Sequence, residues 1–295
     1  MIPPRGTGAA LRYDTVSFLS DYGLGDEFVG VVKSVIRSLA PEVVVVDITH
    51  DIAPHDVRAG GLALARSAQY LVPGVVLAVV DPGVGGKRRA VAVEVGGGTS
   101  VLVGPDNGLL APAVAMVGGA TRVVELTAEK YHLRSPGPTF AGRDVFAPVA
   151  AHLCSGVGLE DVGTPIPMHS LTPGVVPVSR TGGDRIDAEV LWIDRFGNLQ
   201  LNLDPSDIDP MGDVLRITAG GVGRNARRVN CFSDVSTGDL GILVDSYGLA
   251  AVAVNRGSAA MELNCKEGDS IIVESGESAL ATPVQLQPRP PEVPA

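Results

Sequence analysis

Aromatic side chains make up only 4% of this 295-residue chain, with one tryptophan, five tyrosines and six phenylalanines. Any core is therefore expected to be mostly valine, alanine and leucine. Cysteine is equally scarce. Cys154, Cys231 and Cys265 stand far apart, which excludes the short spacings of zinc and redox motifs. Such a chain fits a reduced compartment, with each thiol acting as a small buried hydrophobe. Positive charge is also in deficit: 23 Lys and Arg face 33 Asp and Glu, a formal net charge of −10. That balance argues against a nucleic-acid groove but leaves room for a small cationic ligand. No apolar run approaches membrane-spanning length, and "MIPPRGTGAALRYD" contains no apolar signal core. A soluble cytoplasmic protein, with no membrane partner, is expected.

What is present is a chain that is 45% hydrophobic, long enough for one large domain or two ordinary ones. Residues 1–12 read as a disordered lead. Val16–Leu19 reads as a strand, followed by the turn "SDYGLGD". Asp26 is placed to cap a helix over Glu27–Leu39, whose apolar residues recur at helical spacing until Pro41. Val43–Ile48 is a β-branched run expected to be covered on both faces. A second helix is predicted over Asp56–Leu71. Strands follow at Val75–Val80, Ala90–Val95, Ser100–Val103 and Val123–Leu126, with a short helix from Leu109 between the last two. Asp144 is placed to cap a helix over Val145–Leu153. This alternation predicts an α/β domain over residues 13–172 with a mainly parallel central sheet. "TPGVVPVSRTGGD" reads as a linker. Residues 184–278 show short strands without a convincing helix, which predicts a smaller all-β, barrel-like domain. The proline-rich stretch 279–295 reads as a disordered tail.

In an open parallel sheet, ligands bind beyond the carboxyl ends of the strands. Polar residues cluster there: Asp21, His50-Asp51, Asp81 and Asp106-Asn107. Asp21, after the first strand, suits a ribose diol, and it serves equally well as a turn cap. "THDIAPHDV" offers two His-Asp pairs that a metal hydrolase could use, although no metal spacing is recognisable and turn caps explain them too. "DPGVGGKRR" is more informative. Its proline and glycines let Arg88 fold back on Asp81. The pair could orient a water at a cleft or simply close a hairpin. "SPGPTFAGRD" presents Phe140 and Arg143, and Gly142 would permit close approach of a ligand. "WIDRFGNLQLNL", "VDSYG" and "VNRGS" bring polar groups to strand ends in the second domain.

Seven segments in one order, "FLSDYGLGDEFVG", "DITHDIAPHDV", "DPGVGGKRRAV", "GPDNGLL", "TFAGRDVFAP", "IDRFGNLQLNL" and "VNRGSAA", resemble the SAM hydroxide adenosyltransferases, relatives of the SAM-dependent fluorinase and chlorinase. The resemblance spans about residues 14–275. It implies hydrolysis of S-adenosyl-L-methionine (SAM) to adenosine and methionine, with no metal and no cofactor. It also implies a homotrimer whose active sites lie between the N-terminal domain of one subunit and the C-terminal domain of the next. By the same resemblance Asp21 binds ribose, Asp26 and Phe28 contact substrate at the helix entry, and Phe140 and Gly142 line the site. Asp194, Asn198, Ser246, Tyr247 and the backbone near Val254–Arg256 hold adenine and the methionine amine, and Asp81 and Arg88 handle water. One position departs from the family pattern: Ala141 stands where the family carries histidine.

The chemistry suits these residues. A sulfonium leaves as neutral methionine, so no acid has to assist it. The demand is a water held in line with the carbon–sulfur bond. Without an imidazole at residue 141, binding of SAM with slow turnover is expected. Three other activities compete. A halide adenosyltransferase would need a pocket that Asp81 makes hostile to anions. A SAM- or adenosine-binding protein without catalysis would fit Ala141. A metal-dependent phosphohydrolase would use His50, Asp51 and His55.

Overall fold

The computed structural model describes residues 12–276. The chain divides between Val176 and Pro177 into two compact units, a break that falls within the linker-like "TPGVVPVSRTGGD". Residues 1–11 and 277–295, which hold nearly all of the two predicted tails, lie outside the described residues.

The N-terminal unit runs β1 (Thr15–Ser20), α1 (Phe28–Leu39), β2 (Val44–Thr49), α2 (Val57–Ala68), β3 (Val75–Val79), β4 (Ala90–Val95), β5 (Ser100–Pro105), α3 (Ala111–Met116), β6 (Ala120–Glu125), α4 (Ala147–Cys154) and β7 (Thr164–Pro165). Its sheet has the order β2-β1-β3-β5-β4-β6-β7. The neighbours β2, β1, β3 and β5 are parallel, and only β4 and β7 run against the remaining strands. Alternating side chains of β3 supply two cores. Val75, Leu77 and Val79 pack with α1 and α4, while Val76 and Ala78 pack with α2 and α3. This is why β3 is apolar at every position: it is covered on both faces. Helix α1 turns Val29, Val32 and Ile36 inward, each contributing about 1.5–3 kcal/mol by burial.

Five local expectations are corrected. Asp26 does not cap α1; Glu27 occupies the cap position and makes no side-chain capping bond. Asp144 is not a cap either. It lies inside a π-type turn, Gly142–Phe146, that leads into α4, and its carboxylate accepts from Arg143 Nε at 2.6 Å and Nη2 at 3.0 Å. β2 is an edge strand, so Val44 and Val46 remain 58% and 43% exposed rather than covered. β3 and β4 form no hairpin, because β5 lies between them. Finally, Asp56, read as the first helical residue, instead caps α2, accepting from the Ala59 N–H at 2.8 Å.

The C-terminal unit contains β8 (Arg180–Gly182), β9 (Arg185–Ile193), β10 (Leu199–Leu201), α5 (Pro205–Ile208), β11 (Val214–Ala219), β12 (Val222–Arg228), β13 (Leu240–Val244), β14 (Ala250–Val254), α6 (Ala259–Glu262) and β15 (Ser270–Ser275). Seven strands close a barrel in the order β10-β14-β13-β12-β11-β15-β9, with β9 pairing back to β10 and β8 flanking β9. Every second residue points inward, as in Ile186, Ala188 and Val190 of β9 or Leu215, Ile217 and Ala219 of β11. The fold is thus an α/β unit with a mainly parallel sheet and a smaller all-β barrel. Among the described residues, no helix is long and apolar enough to cross a membrane.

Candidate functional site

Asp21, His50, Asp81 and Asp106 all follow strands of the parallel half, β1, β2, β3 and β5, so the topology brings them to one edge of the sheet. Their surroundings differ. Asp81 is the most constrained. Arg88 donates from Nε to both carboxylate oxygens, at 2.9 and 3.0 Å, and from Nη2 to Oδ2 at 2.5 Å. The two side chains are only 5% and 17% exposed, and the guanidinium stacks 5.3 Å above the Phe146 ring. A planar fork on a planar carboxylate fixes Asp81 in orientation as well as position. Of the four lone-pair sites of the carboxylate three face Arg88, which leaves one, on Oδ1, for a further donor.

Beside this pair stands Tyr22, which the sequence reading did not single out. Its ring packs against Phe28 and Phe140 at 5.6 and 5.7 Å, and those two rings meet at 5.0 Å. Burial pushes the Tyr22 phenol well above its ordinary range, and the negative charges of Asp21 and Asp81 push it further while Arg88 opposes them. The phenol therefore stays protonated. Gly142 is needed here for Tyr22: a Cβ on residue 142 would overlap the Tyr22 hydroxyl. Asp21 uses Oδ2 to accept the backbone N–H of His55 at 2.9 Å. Asp26 is exposed, and Phe28 sits at the rim.

His50 is buried with Ser20. The Ser20 Oγ lies 2.7 Å from His50 Nδ1, and His50 Nε2 lies 3.1 Å from an Asp47 oxygen. The residue types match a hydrolytic triad, but Ser20 is fully buried and its Oγ also accepts the Tyr22 N–H at 3.3 Å. The chain of contacts braces the turn that carries Asp21 and Tyr22. Asp106 is likewise structural. It accepts from Arg89 Nε at 2.8 Å and from the Thr172 N–H at 2.8 Å, which pins the segment after β7 to the end of β5. Among the described residues, no three His, Cys, Asp or Glu side chains gather as metal ligands, so His50, Asp51 and His55 do not converge.

Ala141 is buried in the wall of a cavity of about 840 Å³ shared with Gly85, Arg88, His132, Arg134 and Asp144. Gly85 adopts a φ of 74° with the Pro138 carbonyl against it. That close approach lays the Asp81–Arg88 loop on the loop that presents Phe140 and Ala141.

In the barrel unit, Asp194, Asn198, Ser246 and Tyr247 line one cavity of about 370 Å³, together with Trp192 and Phe232. Asp194 shapes the turn after β9: its Oδ1 accepts the N–H groups of Phe196 and Asn198 at 2.8 and 2.9 Å, and its Oδ2 accepts from Asn198 Nδ2 at 2.7 Å. Trp192 and Tyr247 meet edge to face at 6.2 Å. The cavity thus offers flat aromatic surface with polar groups at its edge, a combination suited to a planar heterocycle. Val254 and Arg256 are placed differently from these four. Val254 is buried in the barrel core, and Arg256 is exposed at a φ of 56°. Trp192 and Phe232 went unread because a lone aromatic near a strand end has no spacing signature.

Comparison with known proteins agrees with this layout. The family model described as the SAM hydroxide adenosyltransferase N-terminal domain matches residues 16–163, and the corresponding C-terminal domain model matches residues 188–272. An (R)-S-adenosyl-L-methionine hydrolase of Salinispora tropica is 45% identical over 261 residues, spanning 88% of this chain and 98% of the relative. One of the same name from Thermus thermophilus is 42% identical over 261 residues, spanning 86% and 96%. A fluorinase of Actinoplanes sp. is more distant, 28% identical over 288 residues, spanning 88% and 96%. The crystal structure of a conserved protein from Thermotoga maritima superposes with a TM-score of 0.81 at 35% identity, covering 88% of this chain and 99% of that one. With both family models matched in order and relatives of this similarity along most of its length, the chain belongs to the SAM hydroxide adenosyltransferase family.

Proposed function

We propose that this protein hydrolyses SAM to adenosine and methionine, with Asp81 holding the attacking water and Arg88 fixing Asp81. The observation that carries the reading is the fork-on-fork ion pair at the end of β3, nearly closed to solvent, stacked on Phe146 and neighboured by Tyr22. A carboxylate with one acceptor site left, on Oδ1, can hold a water in one orientation. That is what in-line displacement at the ribose 5′ carbon requires. Departing methionine is neutral, so the reaction calls for no metal and no cofactor. Asp21 would bind the ribose hydroxyls, with Asp26, Phe28, Phe140 and Gly142 around the sugar. The cavity with Asp194, Asn198, Ser246 and Tyr247 would take adenine and the methionine amine, completed by the backbone near Val254–Arg256. The reading includes a homotrimer in which neighbouring subunits complete each other's sites, supported by the bare valines on the β2 edge.

Ala141 leaves the cavity beside Arg88 without the imidazole that the family resemblance places there, so turnover is slow. Incubation with SAM, followed by chromatography for adenosine, tests the reading directly, with Ala141→His run alongside. Adenosine formation by the wild type and a faster Ala141→His protein support it. Ala141 also favours one rival, a protein that binds SAM without consuming it. Calorimetric binding with no adenosine from either protein would establish that rival. A halogenated nucleoside formed in chloride or fluoride would replace water by halide in the scheme, against the charge of Asp81.

A further inference from the structure

Hydrolysis at the sulfonium leaves one proton to be placed. The water oxygen forms a bond to the ribose 5′ carbon, the carbon–sulfur bond breaks with its electron pair going to sulfur, and the oxygen must shed a proton to become the adenosine hydroxyl. Arg88 already occupies three of the lone-pair sites of Asp81, and the one left is assigned to holding the water. The cavity behind Arg88 holds an alternative. Its wall includes His132 together with Arg88 and Ala141. His132 Nε2 is buried and makes no hydrogen bond to any described residue. A buried polar nitrogen without a partner is costly and marks a position for which a partner arrives.

We propose that His132 takes the proton released by the attacking water, relayed through water in the cavity beside Arg88, and that it sustains the turnover left to a chain with alanine at residue 141. The inference rests on the hydrolytic reading above. The imidazole is held in place by its main chain: the His132 N–H donates to the Glu129 carbonyl at 3.0 Å, and the Leu133 N–H donates to the Asp144 carbonyl at 2.8 Å. Burial lowers the basicity of His132, with the Glu129 charge opposing, so the ring is neutral and able to accept at neutral pH. The other charged groups on the cavity are poorer acceptors. Arg88, Lys130 and Arg134 are cations, Asp144 is held by Arg143, and Glu129 is exposed to solvent. Among the titratable groups on the cavity, His132 alone combines neutrality with a nitrogen that makes no hydrogen bond to a described residue.

The test compares full-length wild type, His132→Gln, Ala141→His and the double variant for adenosine formation across pH, with thermal unfolding to establish folding and His132→Asn measured in parallel. His132→Gln should lose about 10²-fold in kcat, at the low end of the 10²–10⁴ range typical of a lost proton acceptor, with KM for SAM nearly unchanged. The wild-type rate should fall on acidification with a midpoint below the ordinary imidazole value near 6.5, and that limb should vanish in His132→Gln. Free imidazole should restore part of the lost rate, as should Ala141→His in the same background. Retention of kcat and pH profile by a folded His132→Gln protein, or failure of both rescues, overturns the role of His132 while leaving SAM hydrolysis standing. Absence of adenosine from the wild type, Ala141→His included, removes the hydrolytic reading and this inference with it.

Discussion

Replacing Asp81 by asparagine keeps the shape of the side chain and removes its charge, which makes Asp81→Asn the sharpest probe of the water-holding role. Arg88 then faces an amide that can accept through one oxygen only, where the carboxylate accepted three contacts. Removing one partner of a buried ion pair costs about 3–5 kcal/mol. The retained amide oxygen and the 17% exposure of Arg88 bring the expectation to about 2–3 kcal/mol. For a unit of this size each kcal/mol moves the midpoint by about 2–4 °C, so unfolding of the N-terminal unit should begin roughly 4–12 °C lower. Activity should suffer more. The amide presents an N–H where the water needs an acceptor, and kcat should fall by about 10²–10⁴. SAM affinity by calorimetry should stay within a few-fold, because Asp81 is assigned to water and not to the nucleoside. A folded Asp81→Asn protein that forms adenosine within roughly threefold of the wild-type rate would refute the reasoning.

Other outcomes follow from the same contacts. Gly142→Ala should displace Tyr22 from its aromatic neighbours, costing about 1–3 kcal/mol by overpacking and weakening SAM binding in a titration. Asp106→Ala should remove the side-chain anchor of Arg89 and of the Thr172 N–H, leaving their bonds to Ser170 and to the residue 106 carbonyl, and lower the unfolding midpoint, while kcat at a permissive temperature stays near wild type. The paired hydrogen bonds from Arg122 hold the Glu94 carboxyl below the usual carboxylate range. The stability it contributes is therefore full above about pH 4.3 and is lost as pH falls through the lower folded value, a slope that Glu94→Gln should flatten in denaturant titrations. Burial pushes the Cys154 thiol up to about 12, whereas Cys231 is exposed. Iodoacetamide at pH 8 should label Cys231 and spare Cys154, as peptide mapping would report.

The sequence discloses elements whose pattern is set by burial and hides those set by neighbours. β3 is legible because both of its faces are covered, and α1 because Val29, Val32 and Ile36 repeat at helical spacing. β2 carries the same kind of apolar run as β3, yet it lies at the edge; composition does not say whether a covering layer exists. The strand β12, "VGRNARR", escaped notice because Ala226 is its only deeply buried side chain. At the site, the Asp81–Arg88 contact was readable from one short glycine-rich loop. That β5 would lie between β3 and β4 was not, since strand order depends on contacts far apart in the chain. Tyr22 and Trp192 were missed for the same reason: each acquires its meaning from rings contributed by other segments.

The interposed strand has a mechanical consequence. Because β5 separates β3 from β4, the loop carrying Asp81 and Arg88 is a strap tied to two strands that do not touch, spanning the parallel and antiparallel halves of the sheet. Any shear between those halves loads the strap directly. On warming, catalytic competence should therefore fade with the integrity of this one seam.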